Sequence, residues 1–105
     1  MQRAFPADAL RGRLTVVEAP VVELNGRTSR LAPGARIRNV SNMIEMPSAL
    51  GHQTYIVNYT LDDLGQVRDV WVLGDAERAK RPWPSTPTQA KEWTFDVQTQ
   101  SWSRP

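Results

Sequence analysis

The alternation of hydrophobic and polar residues is strongest between Thr54 and Leu73, where it predicts a β-hairpin. Two runs rich in β-branched and aromatic residues flank the segment Asp62-Asp63-Leu64-Gly65. Asp62 favours the start of a type I turn, and Gly65 readily adopts a left-handed backbone. We therefore expect a three-residue loop closed by a G1 bulge.

This turn sets the register of the predicted hairpin. It pairs Tyr59 with Asp69 and Val57 with Trp71, so that the large aromatic side chains share one face with the aliphatic ones. That face is expected to be the core. Asp69 is the one acid on it. A hydrogen bond from the Tyr59 or Tyr55 hydroxyl could satisfy this carboxylate, which is a more common role for such a group than a functional acid.

Shorter β-type runs precede the hairpin. Asn25-Gly26 predicts a type I′ turn and Pro33-Gly34 predicts a type II turn, since glycine supplies the positive φ that each turn needs. The strands predicted around these turns are Arg13 to Ala19, Val21 to Leu24, Arg27 to Leu31, Ala35 to Asn39 and Met43 to Met46.

The C-terminal third changes character. Asp75 is a good N-cap, so one short helix is expected near residues 75–81, stopped by Pro82. The proline-rich segment that follows predicts a stiff linker, and the tail carries signals for a small second hairpin. Such a hairpin must dock on the body or stay flexible, and a flexible tail is the more common outcome at a terminus. This divides the chain into a β-barrel domain with an N-terminal arm, 1–81, and a tail, 82–105.

The predicted fold class is mainly β. Short strands at even spacing, separated by turn signals, indicate a small closed or partly open antiparallel barrel of 5–7 strands. An OB-like or SH3-like barrel fits this size. The length of 105 residues suits one domain with a single modest core, and 40% hydrophobic and 23% charged residues are typical of a globular chain.

Candidate chemistry is sparse. The chain has no cysteine and one histidine, His52, in a predicted turn. It contains no nucleophile elbow, phosphate-binding loop or dinucleotide fingerprint. We therefore expect no enzymatic activity, no cofactor and no metal site.

The positive charge is unevenly distributed. The net charge is +2, supplied by 11 arginines and 2 lysines against 11 acids. Arg27, Arg30, Arg36 and Arg38 fall in a segment of twelve residues that contains no acid. Solvated strand residues are the common explanation, and a polyanion site for nucleic acid, anionic lipid or glycan is the functional one.

Tryptophan suggests a second kind of site. Trp83, Trp93 and Trp102 all lie in the predicted linker and tail. Exposed aromatic residues bind sugars, bases, peptides or other subunits. Alternatively, the tail folds back and its tryptophans cover an edge of the barrel. Both interpretations stay open at this point.

The sequence also leaves two cellular compartments open. No apolar run approaches the length of a membrane span, and no signal peptide is present. Met1-Gln2-Arg3 is typical of a start placed before a trimmed chain. We expect a periplasmic or secreted protein if a leader was removed and a cytoplasmic one otherwise.

The chain resembles a family of small uncharacterised proteins of β-proteobacteria over roughly residues 5–75. The segments that carry the resemblance are Phe5-Pro6, Leu10-Arg11-Gly12, Leu24 to Arg27, Arg30 to Arg38, Asn42, Asn58-Tyr59-Thr60 and Gly65 to Leu73. The resemblance implies an exported protein and transfers no catalytic residues. We expect a monomeric, non-enzymatic binding or accessory module of the bacterial envelope with a protein or glycan partner. The alternative is an OB-like barrel that binds single-stranded nucleic acid through its arginine-rich strand pair.

Overall fold

The computed structural model describes residues 3–105; Met1 and Gln2, part of the predicted trimmed start, lie outside the described residues. Strands dominate, as the pattern predicts, and both α-helices are short. The elements are β1 (Leu10–Glu18), β2 (Val21–Leu24), β3 (Arg27–Arg38), β4 (Ile44–Glu45), a 3₁₀ turn (Pro47–Leu50), β5 (Thr54–Leu61), β6 (Val67–Val72), α1 (Asp75–Arg78), α2 (Pro87–Glu92), β7 (Thr94–Asp96) and β8 (Ser101–Ser103).

Five strands close into a barrel. β1 pairs with β2 and β5, β5 pairs with β6, β6 pairs with β3, and β3 pairs back with β2. The β3–β6 pair is parallel and the other pairs are antiparallel. β4 is an additional strand on β3. The predicted small β-barrel is therefore confirmed, although its β3–β6 pair is parallel where an antiparallel barrel was predicted, and alternate residues such as Leu14, Val57 and Val70 fill its interior.

The predicted turns at Asn25-Gly26 and at Asp62 to Gly65 are confirmed, and the third is not. Asn25 and Gly26 both have positive φ, 55° and 79°, as a type I′ turn requires. Gly65 has a φ of 78°, and the Asp62 carboxylate accepts hydrogen bonds from two loop N–H groups. The turn predicted at Pro33-Gly34 is instead a bend inside β3, because Gly34 takes a φ of 77° while the strand continues on both sides.

The predicted hairpin register is wrong by one residue on β6. Tyr59 pairs with Val70, and Thr60 pairs with Asp69. The ladder shifts between Val67 and Asp69, where Arg68 is the extra residue of a bulge. The bulge shifts the pairing of Asp69 and the residues after it by one position, which moves their side chains to the opposite face of the sheet. Asp69 therefore lies on the outer face beside Thr60, and not beside the Tyr59 hydroxyl.

The C-terminal tail is folded and docked, which is the less favoured of the two predicted outcomes. It packs with the N-terminal arm to form a second core on the outside of the barrel, consisting of Phe5, Ala9, Leu73, Trp83 and Trp102. The Trp83 indole N–H donates to the Ala9 carbonyl at 3.0 Å. The division of the chain after residue 81 stays a prediction, although both parts contribute to this core.

An ion pair fastens the arm to α1. The predicted short helix is confirmed, but its N-cap is Gly74 and not Asp75, because the Glu77 carboxylate accepts the Gly74 N–H at 2.9 Å. Arg3, whose side chain is buried, donates from Nε to Glu77 Oε2 at 2.8 Å and from Nη2 to the Val72 carbonyl at 2.7 Å. The arm, α1 and the end of β6 are therefore joined at one point.

This pair predicts a pH dependence of stability. Burial would raise the pKa of the Glu77 carboxyl, but hydrogen bonds from Arg3 and Gly74, with the charges of Arg3 and Arg11, bring the pKa below its ordinary 4.5. A folded-state pKa below the unfolded value gives stability that is present above about pH 4.5 and is lost as pH falls through the folded pKa. As pH falls from about 5 to about 3, the free energy of unfolding measured with urea should therefore decrease more steeply for the wild type than for Glu77→Gln. Equal slopes for the two proteins would contradict this role.

Candidate binding face

The outer faces of β6, β3 and β4 together form one continuous surface. β3 lies between the other two strands, and its Arg38 is paired with Trp71 on one side and Ile44 on the other. Directly paired residues project to the same side of a sheet. We call this surface, together with the exposed apolar residues next to β4, the edge face. Its members are Arg36, Arg38, Val40, Met43, Ile44, Met46, Asp69 and Trp71.

Large apolar side chains are exposed in one short segment of this face. Met43 is 61% exposed, Ile44 64% and Met46 72%, and Val40 adjoins them at 55%. The remaining large exposed apolar residues of the range 3–105, Val17, Leu64 and Val97, lie in separate places along the chain. A cluster of exposed apolar residues marks an interaction surface more often than single ones do.

The same segment contains the free edge of the sheet. β4 is the last strand in the sheet order and pairs only with β3 within residues 3–105. The strand is short because Pro47 begins a 3₁₀ turn directly after Met46. Its unpaired backbone groups are a template for another strand, and native proteins usually protect such edges.

Positive charge exceeds negative charge on the edge face. Asp69 lies between two arginines, with Arg38 Nη1 at 3.4 Å from Oδ1 and Arg68 Nε at 3.4 Å from Oδ2. Arg36 pairs with Asp69 in the sheet, but its guanidinium has no carboxylate within 4.0 Å among the residues the structure describes. Arg38 also lies over the Trp71 ring at 5.4 Å. The face is therefore both apolar and cationic.

β3 separates the four arginines predicted as a polyanion site. Arg27 and Arg38 stand at opposite ends of the twelve-residue strand, about 35 Å apart along its length. Arg36 and Arg38, two positions apart, share the edge face. Arg27 and Arg30 are exposed, and neither has a carboxylate partner in the described part of the chain. The structure thus brings together two of the four.

The three tail tryptophans are placed differently. Trp83 and Trp102 are only 7% and 5% exposed, and their rings contact each other edge to face at 6.2 Å in the second core. Trp93 is half-buried, with the Arg104 guanidinium 5.4 Å from its ring. Trp83 and Trp102 therefore have almost no surface to offer a partner, and they correspond to the alternative in which the tail folds back onto the barrel.

The described residues show no constellation for metal or membrane chemistry. Residues 3–105 contain no group of three His, Asp or Glu side chains placed to hold a metal ion. His52 is exposed, with its Nδ1 3.2 Å from the Val16 carbonyl. No helix in this range has the length and apolar content needed to cross a membrane.

The sequence pattern missed the apolar part of the edge face. Met43 to Met46 was predicted as a strand, but its position at an open edge depends on pairing between distant segments. One signal could have found it: a short apolar run ended by Pro47, with no second run available to cover it.

No family model matches this chain, and comparisons with curated proteins and with solved structures give no significant match. The edge face is therefore the feature from which we infer a function.

Proposed function

We propose that the chain is a non-enzymatic binding module that holds an extended segment of a partner protein along the free edge of β4. The segment is apolar and acidic: apolar side chains lie against Ile44 and Met46, and acidic side chains reach Arg36 and Arg38. The envelope is the compartment we expect on the resemblance described above, and it belongs to the same proposal.

The backbone of β4 supports this mode of binding. An extended peptide that adds to an exposed edge gains main-chain hydrogen bonds, while pockets for alternate side chains supply specificity. Ile44 and Glu45 already pair with β3 on one side, so their conformation is set before a partner arrives. A preformed edge lowers the ordering cost of binding.

The side chains support a partner of this composition. Met43 and Met46 are flexible and polarizable, and methionines adapt to apolar surfaces of irregular shape. Asp69 is the one carboxylate within 4.0 Å of the Arg36 or Arg38 guanidinium in the described part of the chain, so these arginines favour acidic residues beside the apolar ones. A basic partner would meet like charge on the same face.

One observation carries the proposal: within residues 3–105, four of the seven large exposed apolar side chains lie on or next to β4, the last strand in the sheet order, which pairs on one side alone. Binding of single-stranded nucleic acid along β3, the alternative function, stays a prediction. The spacing of these arginines does not favour it, because Arg27 and Arg38 stand at opposite ends of the twelve-residue strand.

The test begins with a displayed library of random twelve-residue peptides selected on the full chain. We expect the enriched peptides to alternate apolar residues with Asp or Glu. A synthetic peptide of the enriched sequence should bind Ile44→Asp at least about tenfold more weakly than the wild type, which corresponds to about 1.4 kcal/mol. Isothermal titration calorimetry measures both affinities.

Leu64→Asp is the matched control. Leu64 is 83% exposed in the loop between β5 and β6, so the same chemical change there leaves the edge face intact. The control should bind the selected peptide as the wild type does. A library that yields no enriched sequence, or a peptide that binds Ile44→Asp and the wild type equally, would refute the proposal.

A further inference from the structure

A second surface lies over β1 and β5, the two strands that precede β6 in the sheet order. α1 and the residue after its last turn form one wall of a groove of about 460 Å³ over the outer faces of these two strands. Its charged lining consists of Arg11, Arg13, Asp75, Arg78 and Arg81. Four arginines against one aspartate leave three positive charges without a partner in the lining.

Two of these arginines are fixed by structural contacts. Arg11 donates to the carbonyls of Glu77 at 3.1 Å and Lys80 at 2.7 Å, near the end of α1, and its guanidinium lies 4.9 Å from the Trp83 ring. Arg78 pairs with Asp75 and donates to the Leu73 carbonyl at 2.8 Å. These contacts fix the walls of the groove. They also leave Asp75, the one acidic residue of the lining, already paired with Arg78.

Arg13 and Arg81 differ from them because their guanidinium groups are exposed. Within residues 3–105 neither guanidinium has a carboxylate within 4.0 Å. The pKa of Arg11 is lowered to about 10, mainly by burial and further by the charge of Arg81, while Glu77 opposes the shift. The groove thus holds like charges close together, and an anion between them would relieve their repulsion.

We propose that this groove binds a phosphate-bearing ligand, with Arg13 and Arg81 as its two phosphate contacts. The planar guanidinium matches the geometry of phosphate and can bind it through two parallel hydrogen bonds. Ile56 pairs with Arg13 and lines the same groove, so it offers an apolar surface to the rest of the ligand. A groove of this volume is within the range of small-ligand sites.

The test uses inorganic pyrophosphate and a labelled twelve-residue oligothymidylate as probes, at low ionic strength. For each probe that binds the wild type, we expect the double variant Arg13→Gln with Arg81→Gln to have an affinity at least about tenfold lower. The charge-matched control is Lys91→Gln combined with Arg104→Gln, two exposed residues outside the groove and outside β3, which should change affinity by less than about twofold. Both pairs of residues are exposed, so neither double variant should impair folding.

The two probes separate two sources of phosphate. Saturable binding of pyrophosphate indicates a small phosphorylated ligand. Binding of the oligonucleotide alone, weakening steeply as salt rises, indicates a nucleic-acid strand. Both outcomes support the proposal when the groove variant loses binding and the control does not. The proposal would be overturned if neither probe bound the wild type, or if the two double variants lost affinity equally.

Discussion

Replacing Trp83 with alanine is expected to lower the free energy of unfolding by about 3–5 kcal/mol, as for other buried aromatic residues. Trp83 is 7% exposed and lies edge to face against Phe5 at 5.8 Å and Phe95 at 5.8 Å. Its indole N–H also satisfies the Ala9 carbonyl. The substitution removes contacts to both the arm and the tail. Urea unfolding followed by circular dichroism measures the loss.

Trp93→Ala is the control for this result. Trp93 is half-buried and stands at the margin of the second core, so its loss should cost clearly less. A stability of Trp83→Ala equal to that of the wild type would mean that the tail is not part of the fold. Trp83 would then be free for a partner, and deletion of residues 82–105 would leave the barrel folded.

The second large effect is expected at Arg3. Arg3→Ala should destabilise the protein by about 3–5 kcal/mol, the cost of breaking a buried ion pair by removing one member. The substitution leaves the Glu77 carboxylate without its bidentate partner and removes the donors to the Val72 and Asn39 carbonyls. Thermal and urea unfolding measure the change.

Arg30→Ala provides the comparison, because Arg30 is exposed and has no ion pair in the described chain. It should change the unfolding free energy by less than about 0.5 kcal/mol. If Arg3→Ala were as mild as this control, the arm would not be anchored through α1. A double-mutant cycle with Glu77→Gln then measures the coupling between the two residues directly.

Turns were predictable because their chemistry is local. Asn25-Gly26 and Gly65 adopt positive φ for reasons contained in two to four residues. The helix after β6 was also found, since Glu77 and the proline that follows lie close in sequence. The barrel followed from counting strands between such turns.

Features that depend on distant residues were not predictable. The bulge at Arg68 moves Asp69 from the core to the outer face, and no local pattern specifies an extra residue within an alternating strand. Docking of the tail depends on Trp83 meeting Phe5 from the other end of the chain. Arg3 carried no signal in the sequence, although its guanidinium donates four hydrogen bonds in the structure.

The candidate sites show the same difference between local and distant determinants. Arg36 and Arg38 are two positions apart on one strand, so sequence spacing alone places them together. The groove joins Arg13 of β1 to Arg81 beyond α1, which come together because β1 pairs with β5 and α1 lies over these strands. The exposure of Ile44 likewise depends on β4 having no strand beyond it.

Amide hydrogen exchange across Val40 to Met46, with and without the selected peptide, tests the binding edge most directly. At a peptide concentration well above its dissociation constant, we predict that exchange in this segment slows by at least about tenfold, because the peptide backbone takes up the free edge of β4. Exchange in the loop at Leu64 should not change. Protection confined to the tail or to the groove over β1 and β5, with exchange at β4 unaltered, would contradict the account.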